Sequence, residues 1–436
     1  MSIFSKHLPA VKVGHYKNTE NSATEKMPLP DKVFISMVQH IGAPCQPRVK
    51  VGDMVKVGQV IGDTDAFVSA PIHSSVSGKV TAIDQNMTMM GIWDPVVTIE
   101  LDKEQELIED LKAPKITDRE SFIKAVRDSG LVGLGGAAFP THVKFSPKNL
   151  DEVDTLIING AECEPYITSD YRTMMEDTDL LVEGIKRTKE YLSIKRVVVA
   201  IELNKAPAIE KLSEAFKDSD GIEVMGLKPI YPQGAEKVLI YEVTGRQVPI
   251  GKLPADVGVL VSNVSSIVAL EKYVQTGIPL ITRKVTVDGT AVNTPKNVEV
   301  LIGTSIKDLI EFCGGYKKPP KKILMGGPMM GRTIYNDNMA IIKNNNAILA
   351  FDEDWVKLPK ETACINCGRC VRTCPMRLMP TLILKAYDKN DVDELKKLNV
   401  LSCMECGTCT YVCPAKKQLS FVNKLAKQKV MEGGNK

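Results

Sequence analysis

Residues 364–375 read Cys364-Ile-Asn-Cys367-Gly-Arg-Cys370-Val-Arg-Thr-Cys374-Pro375, and the same cysteine spacing returns in residues 403–414. Three cysteines at positions i, i+3 and i+6 of a tight loop can reach three corners of one iron–sulfur cubane. The fourth cysteine, held by the turn before proline, points at the other cluster. The stretch therefore predicts a compact module that holds two [4Fe-4S] clusters.

Each half of the repeat is expected to give three ligands to one cluster and one ligand to the other. The first predicted ligand set is Cys364, Cys367, Cys370 and Cys413. The second predicted set is Cys403, Cys406, Cys409 and Cys374. Zinc is the alternative metal, but zinc sites favour four ligands in Cys-x-x-Cys pairs, with the two pairs set apart in the chain. Two complete runs of this spacing favour iron–sulfur clusters.

The rest of the chain has the composition of a folded, multidomain protein. At about 150 residues per domain, 436 residues predict roughly three domains. Hydrophobic residues make up 44% and charged residues 25%, which excludes a disordered chain. An odd number of cysteines, 11, argues for metal ligation rather than a disulfide framework. The net charge of +3 gives no indication of a nucleic-acid partner.

The sequence shows neither a membrane-spanning segment nor a signal peptide. No stretch reaches the roughly 18 apolar residues that a membrane span needs. The first residues, MSIFSKHLPAVKVG, lack an apolar core and a cleavage site. We therefore expect a chain on the cytoplasmic side, where any association with the cell membrane is peripheral and comes through a partner or a surface.

Short β-like runs fill residues 31–105, after a polar arm of residues 1–30 that we expect to lie over another domain. The phrase Val-Lys-Val-Gly-Asp in residues 49–53 and a return through Ala70-Pro71 resemble the lipoyl and biotinyl carrier barrel. A carrier would present a modifiable lysine at this hairpin tip, but residues 70–75 contain none. We expect a structural barrel without a prosthetic group.

Strand-like and helix-like segments alternate in residues 106–280, which predicts an α/β layer. The apolar runs in residues 154–160 and 195–203 suit buried parallel strands. Residues 281–350 resemble the small β-grasp (SLBB) domain, and MGGPMMG in residues 325–331 is expected to be a loop packed on its core. Residues 351–436 form the cluster module. The predicted fold class is thus a multidomain α/β protein.

A glycine-rich loop opens the candidate cofactor site of the α/β domain. It reads Gly133-Leu-Gly135-Gly136-Ala-Ala-Phe139-Pro140-Thr141. It matches the dinucleotide fingerprint GxGxxA, but that fingerprint needs a strand before it, and here a helix-like segment precedes it. Glycines let backbone N–H groups approach phosphate oxygens, and Lys144 would neutralise their charge.

Three later stretches carry further candidate residues. The first ends a buried strand and contains Asn159, Glu162 and Glu164. The second contains Tyr231, Gly234 and Glu236, and the third contains Asn263. In this order the four stretches resemble the flavin-binding subunit of respiratory complex I, which holds FMN and oxidises NADH.

The resemblance implies a role for most of these residues. Gly133, Gly135, Gly136 and Lys144 would cradle the phosphate and ribityl chain of FMN. Asn159 and Asn263 would bond the flavin, Phe139 would pack near the NADH adenine, and Glu164, Glu236 and Tyr231 would lie near the nicotinamide and its ribose. Glu162 and Gly234 belong to the same motifs and complete the predicted cofactor-binding set. The sequence departs from the motifs at Ala161, Ala235 and Ser262.

The order of barrel, flavin/NADH domain, β-grasp domain and two-cluster module resembles the RnfC family of the Rnf electron transport complex. The resemblance implies the NADH-facing subunit of a membrane complex that couples ferredoxin oxidation and NAD reduction to Na⁺ or H⁺ transport. Its partners would be the other Rnf subunits, both integral membrane and ferredoxin-like, and ferredoxin indirectly. NAD(H) would be the substrate.

A flavin is needed to link two-electron and one-electron transfer, because a hydride carries two electrons whereas a [4Fe-4S] cluster passes one. We therefore expect no side chain to act as an essential acid or base. Two other functions stay open at this stage. One is a cobalamin reductase of diol degradation with the same flavin-plus-two-cluster layout. The other is a non-catalytic electron-transfer module that never meets NADH, which Ala161 and Ala235 would suit.

Overall fold

The computed structural model describes residues 8–88, 91, 93–357 and 359–433. The first seven residues of the predicted arm and the last three of the predicted cluster module lie outside the described residues. In the described part of the chain, no helix is long and apolar enough to cross a membrane.

The described part of residues 31–105 forms a barrel of two small antiparallel sheets. Its strands are β2 (Lys32–Ser36), β3 (Gln46–Pro47), β4 (Met54–Val55), β5 (Val60–Asp63), β6 (Ile72–His73), β7 (Gly78–Met87) and β8 (Trp93–Leu101). The strand orders are β2-β8-β7-β4 and β3-β5-β6. The hairpin tip at residues 70–75 is entirely buried. Its Pro71 carbonyl accepts a bond from Lys343 Nζ at 2.6 Å, so the tip is an internal contact rather than an exposed arm.

The α/β domain is built on four parallel strands, which are β9 (Thr155–Gly160), β10 (Arg196–Glu202), β11 (Ile222–Leu227) and β12 (Val259–Asn263). The domain orders them β11-β10-β9-β12 in its sheet. Its helices are α1 (Arg119–Asp128), α2 (Thr141–Phe145), α3 (Ser169–Glu176), α4 (Thr178–Tyr191), α5 (Ala206–Ala215), α6 (Glu236–Thr244) and α7 (Val264–Thr276). The buried apolar runs in β9 and β10 confirm the expected central strands. Asp118 caps α1, because its side chain accepts the Ser121 N–H.

The β-grasp domain contributes five strands to a six-stranded sheet and also contains the helix α8. These are β13 (Thr282–Asp288), β14 (Lys296–Leu301), α8 (Ile306–Phe312), β15 (Lys322–Met325), β16 (Arg332–Ile334) and β17 (Ala347–Phe351). The sixth strand is β1 (Thr24–Lys26) of the N-terminal arm, which pairs in parallel with β14. The arm is therefore tied to a domain that lies about 250 residues further along the chain.

The cluster module consists of helices of 4 to 15 residues around its cysteine loops. They are α9 (Arg369–Arg372), α10 (Pro380–Asp388), α11 (Val392–Lys397), α12 (Thr408–Tyr411) and α13 (Leu419–Gly433). Leu395, Val400 and Ala426 are fully buried in its core. Gly368 and Gly407 adopt φ of +70° and +80°, at equivalent positions of the two cysteine loops. This left-handed backbone is the one that favours glycine, and it lets each loop turn closely.

Candidate functional site

One cavity of about 1640 Å³ lies where the barrel, the α/β domain, the β-grasp domain and the cluster module meet. All the residues predicted to bind FMN or NADH line it. They are Gly133, Gly135, Gly136, Phe139, Lys144, Asn159, Glu162, Glu164, Tyr231, Gly234, Glu236 and Asn263. The structure thus brings together stretches that are separated by up to 130 residues, while their individual roles stay predictions.

The glycine loop between α1 and α2 forms one wall of the cavity. Its ends are closed by Gly133 N–H donating to the Phe139 carbonyl at 2.8 Å and by Ala138 N–H donating to Gly133 at 3.1 Å. Gly136 has a φ of +111°, and a side chain added there would meet no protein atom within 4 Å. The loop therefore leaves open space beside its backbone, as a loop that cradles a phosphate-bearing ligand does.

The carboxyl ends of two neighbouring parallel strands form the floor. Asn159 of β9 and Asn263 of β12 are register partners, so both residues lie at the same edge of the sheet. Asn159 Nδ2 donates to the Gly234 carbonyl at 2.9 Å, and Asn263 Nδ2 donates to Asp170 at 2.7 Å. In open α/β sheets this edge is the usual place for a ligand.

Lys144 supplies a positive charge to the same wall. Its Nζ donates to the Val261 carbonyl at 2.8 Å and lies 3.6 Å from a carboxylate oxygen of Glu236. About a quarter of its side chain is exposed. The ammonium group is therefore held in place and still open to an anion.

Glu162 follows β9 with a φ of +47°. One carboxylate oxygen accepts the Asp170 N–H at 2.6 Å in the first turn of α3, so this side chain also stabilises that helix. The other oxygen is buried without a hydrogen bond and lies 4.0 Å from Lys17 Nζ. Burial raises the pKa of Glu162, whereas the neighbouring Lys17 charge acts in the opposite direction.

Glu164 joins the cavity to the β-grasp domain. Its two oxygens accept the backbone N–H groups of Met329 and Met330 at 2.9 and 2.8 Å. Burial raises the pKa of this carboxyl to about 7, although both hydrogen bonds act to lower it. A side chain added at Gly327 would meet a Glu164 oxygen at 2.2 Å, so the loop and the carboxylate are in close contact.

Tyr231 connects the cavity wall to the cluster module. Its ring is almost fully buried, and its hydroxyl donates to the Cys406 carbonyl at 2.8 Å. Tyr231 packs with Cys406, Cys163 and Met329 in one apolar cluster. Cys403, a predicted ligand of the second set, lines the same cavity. The second cysteine set therefore lies directly beside the predicted flavin site.

The two predicted cysteine sets are each brought together. Cys364, Cys367, Cys370 and Cys413 line one small cavity of about 100 Å³. In the second set, burial and the nearby thiols of Cys403, Cys406 and Cys374 raise the pKa of Cys409 to about 12. Among the described residues no three Cys, His, Asp or Glu side chains converge as a single metal ion requires. The four thiols of the first set, arranged around a cavity of about 100 Å³, fit an iron–sulfur cubane.

Two contributors to the site escaped the sequence analysis. Lys17 of the arm donates to the carbonyls of Glu162 (2.9 Å), Glu164 (2.9 Å) and Ile167 (2.5 Å), and so holds the loop after β9. Residues 325–331 are predicted to be a loop packed on the core. Met325 is buried in the β-grasp core, and most of the loop also lines the cavity, which the sequence does not indicate. A single lysine in a polar arm and a Met-Gly-rich loop carry no recognisable signal for such contacts.

Four family models match successive parts of the chain. They are the RnfC barrel sandwich hybrid domain (residues 9–104), the Nuo51 FMN-binding domain (126–272), the SLBB domain (284–333) and a 4Fe-4S dicluster domain (358–414). Their order confirms the predicted multidomain α/β fold.

The C subunit of the proton-translocating ferredoxin:NAD(+) oxidoreductase complex of Clostridium ljungdahlii is 46% identical over 385 residues, covering 87% of this chain and 84% of that protein. The C subunit of the Na(+)-translocating complex of Acetobacterium woodii is 40% identical over 428 residues, covering 96% and 97%. The chain belongs to the RnfC family.

The C subunit of the ion-translocating oxidoreductase complex of Rhodobacter capsulatus is a more distant relative, with 38% identity over 394 residues. The match covers 89% of this chain and 76% of that protein. Among solved structures, the NAD⁺-reducing [NiFe]-hydrogenase in its H₂-reduced state matches with a TM-score of 0.50 at 18% identity. It covers 72% of this chain and 62% of its own. This last likeness shows a shared fold.

Proposed function

We propose that this chain is the NADH-side subunit of an ion-translocating ferredoxin:NAD⁺ oxidoreductase complex, in which it passes electrons between two [4Fe-4S] clusters, FMN and NAD(H). One observation carries the proposal: a single cavity is lined by all the residues predicted to bind FMN or NADH and also by Cys403 of the second cysteine set. The membership in the RnfC family supports it.

The residues of the cavity fit FMN. The open backbone at Gly136 and the ammonium group of Lys144 suit its phosphate, and Asn159 and Asn263 offer amide groups at the strand ends. Bound FMN supplies the exchange between a two-electron hydride and single electrons. The chain itself binds and orients the reactants and keeps the buried surroundings of Glu162 and Glu164 in place.

The layout supports one order of electron carriers. The second set, Cys374, Cys403, Cys406 and Cys409, would hold the cluster next to FMN, because Cys403 lines the cavity and Tyr231 bonds to Cys406. The ligands of the first set line a separate small cavity and are absent from the large one. The first cluster would therefore be the one that meets a partner.

The partners in this proposal are the other subunits of the complex, with ferredoxin acting indirectly. The association with the cytoplasmic face of the membrane would be peripheral and would come through these subunits. The relatives from Clostridium ljungdahlii and Acetobacterium woodii are named for different coupling ions, H⁺ and Na⁺, and the ion pathway would belong to the integral membrane subunits.

The proposal is tested by adding FMN to the anaerobically purified chain and then titrating with NADH. We expect about one FMN per chain by fluorescence quenching, and loss of flavin absorbance near 450 nm as NADH is added. A chain that takes up no FMN, or that binds FMN which NADH leaves oxidised, would contradict the NAD-linked function.

A chain that binds FMN but whose flavin NADH leaves oxidised would favour a non-catalytic electron-transfer module. One structural observation favours that alternative: both oxygens of Glu164, expected near the nicotinamide, are occupied by the N–H groups of Met329 and Met330. NADH binding measured by calorimetry on the FMN-loaded chain separates the two functions, because only the NAD-linked protein needs a nucleotide site.

A further inference from the structure

The cavity of the first cysteine set opens at the protein surface. Ile365, which stands between the predicted ligands Cys364 and Cys367, is 68% exposed. Cys364, Cys367 and Cys413 are only partly buried. Thr381 lines the same cavity, and on either side of it Met379 and Leu382 are 48% and 40% exposed. A small apolar surface therefore surrounds the outer cluster site.

Cations border this apolar surface. Arg369 lines the cavity of the first set, a guanidinium nitrogen of Arg372 lies 3.1 Å from where a Gly368 side chain would start, and Lys416 follows Cys413 by three residues. All three are exposed.

The cations of this border are not neutralised by the module itself. Within residues 359–433, the ion pairs join Lys396 to Asp393, Lys397 to Glu394, Lys417 to Glu361 and Lys427 to Glu405. None of these pairs involves Arg369, Arg372 or Lys416. Uncompensated charge beside an apolar centre is typical of surfaces that steer a charged protein into a brief encounter.

We propose that residues 364–372, 379–382 and 414–417 form the docking face for a protein domain that carries a one-electron centre beneath an acidic surface. The inference rests on the proposed function, since it names the partner of the outer cluster. An electron exchanged with that partner would cross near Ile365, because Ile365 is the exposed residue between two ligands of the outer cluster, whereas the second cysteine set lies beside the large cavity. Each encounter moves one electron: the partner is oxidised as the outer cluster is reduced, or the reverse. Two encounters match one hydride.

Charge complementarity selects this partner. An acidic domain would be attracted by Arg369, Arg372 and Lys416, and Ile365 would form a small apolar centre. Such encounters bury less than about 1,200 Å² and are weak, which suits rapid exchange. A membrane surface and a second copy of this chain are the competing occupants of the docking face. Each would give a different result in the binding test.

The test uses the full chain loaded with its clusters. The probe is a small acidic ferredoxin, which stands in for the ferredoxin-like domain of a partner subunit. The binding constant is measured by calorimetry at about 50 and 200 mM salt, because screening weakens attraction between exposed charges. We expect Arg372→Glu/Lys416→Glu to weaken binding about tenfold at the lower salt and to flatten the salt dependence. Iron content and the reduced-cluster EPR signal show whether the clusters remain intact.

The matched control is Lys186→Glu/Lys217→Glu, which makes the same change in charge at two exposed lysines of the α/β domain. We expect it to alter binding less than about twofold, since these charges lie outside the docking face. Ile365→Ala changes no charge, and we expect it to speed dissociation about threefold while the association rate stays the same.

Equal losses in both charge variants, or no binding of the ferredoxin by the wild type, would overturn the docking face. Loss of binding to phosphatidylglycerol vesicles in Arg372→Glu/Lys416→Glu, without ferredoxin binding by the wild type, would assign the face to lipid. A dimer in sedimentation that this variant dissociates would assign it to a second copy. NADH reduction of the flavin in the same samples separates failure of the docking face from failure of the proposed function.

Discussion

At Glu164, burial in the folded chain disfavours the charged carboxylate. Because of this burial, the carboxyl has a pKa of about 7 in the folded chain, against 4.5 for an ordinary glutamate. The folded state therefore holds a proton that the unfolded chain releases between these two values. The contribution of this group to stability consequently falls as pH rises from about 4.5 to 7.

Glu164→Gln removes this titration and nearly preserves the shape of the side chain. We expect the melting temperature of the variant to fall less than that of the wild type between pH 5 and pH 8. Thermal unfolding monitored by fluorescence at several pH values measures the difference. Parallel pH profiles for the two proteins would show that Glu164 is ionised throughout.

The same variant tests whether the chain needs an acid or a base. We expect Glu164→Gln to retain FMN and NADH binding and to reduce the flavin at a rate within about tenfold of the wild type, because hydride exchange is the chemistry of the cofactor. Stopped-flow absorbance measures the rate. A variant that binds both molecules and yet fails to react would contradict this expectation.

Gly136 offers a direct test of the phosphate cradle. Gly136→Ala places a methyl group in open space on the cavity side of the loop, so we expect FMN affinity to fall about tenfold through loss of the close backbone approach. Gly315→Ala is the control, because Gly315 also has a positive φ and open surroundings but lies in the β-grasp domain. Fluorescence titration with FMN compares them. Equal affinities would place the phosphate elsewhere.

The loop of residues 326–331 lies between the cavity and the cluster module. The N–H groups of Met329 and Met330 bond to Glu164, and a side chain added at Gly407 of the second cysteine loop would lie 2.9 Å from the Met329 carbonyl. The loop is therefore packed between the α/β domain and the second cysteine set. Its geometry would control the distance between FMN and the nearer cluster.

Gly327→Ala should disturb this packing without altering a ligand. We expect a loss of about 1–3 kcal/mol in stability from overpacking against Glu164. We also expect slower electron transfer from FMN to the clusters, as followed by freeze-quench EPR, at unchanged FMN and iron content. Gly315→Ala is again the control. Unchanged stability and transfer rates would show that the loop has no positioning role.

Elements with local signals were predictable, and contacts between distant elements were not. The apolar runs of β9 and β10, the cap at Asp118 and the cysteine spacing each encode their structure within a few neighbouring residues. The bond between Glu164 and Met329 spans 165 residues, and nothing in MGGPMMG indicates it. The role of that loop follows from how the domains pack, which one sequence does not encode in a visible pattern.

Lys343 connects three domains through hydrogen bonds of its side chain. From the β-grasp domain, its Nζ donates to the carbonyls of Pro71 in the barrel (2.6 Å) and Gly130 in the α/β domain (2.7 Å). Burial lowers the pKa of this lysine to about 7. In the sequence it precedes three asparagines, a context that suggests an exposed loop, so its burial was not predictable.

The folded state releases the Lys343 proton at lower pH than the unfolded chain does. The stability contribution of this group therefore rises with pH between about 7 and 10.5. We expect Lys343→Met to lose this dependence and to be less stable overall, because two buried carbonyls are left unpaired at about 1–3 kcal/mol each. Lys186→Met, at an exposed site, should change neither property. Calorimetric scans at pH 7 and pH 9 compare the variants.

Cys403→Ser tests the proposed order of carriers, because it removes a ligand of the cluster placed next to FMN. The measurement is an anaerobic NADH titration of the FMN-loaded variant beside Cys364→Ser, with flavin absorbance and cluster EPR recorded together. We predict that NADH bleaches the flavin in both variants. In Cys364→Ser the remaining cluster is reduced, whereas in Cys403→Ser electrons reach the remaining cluster far more slowly than in the wild type. Rapid cluster reduction in Cys403→Ser, or a flavin that NADH never bleaches, would rule out this order of carriers.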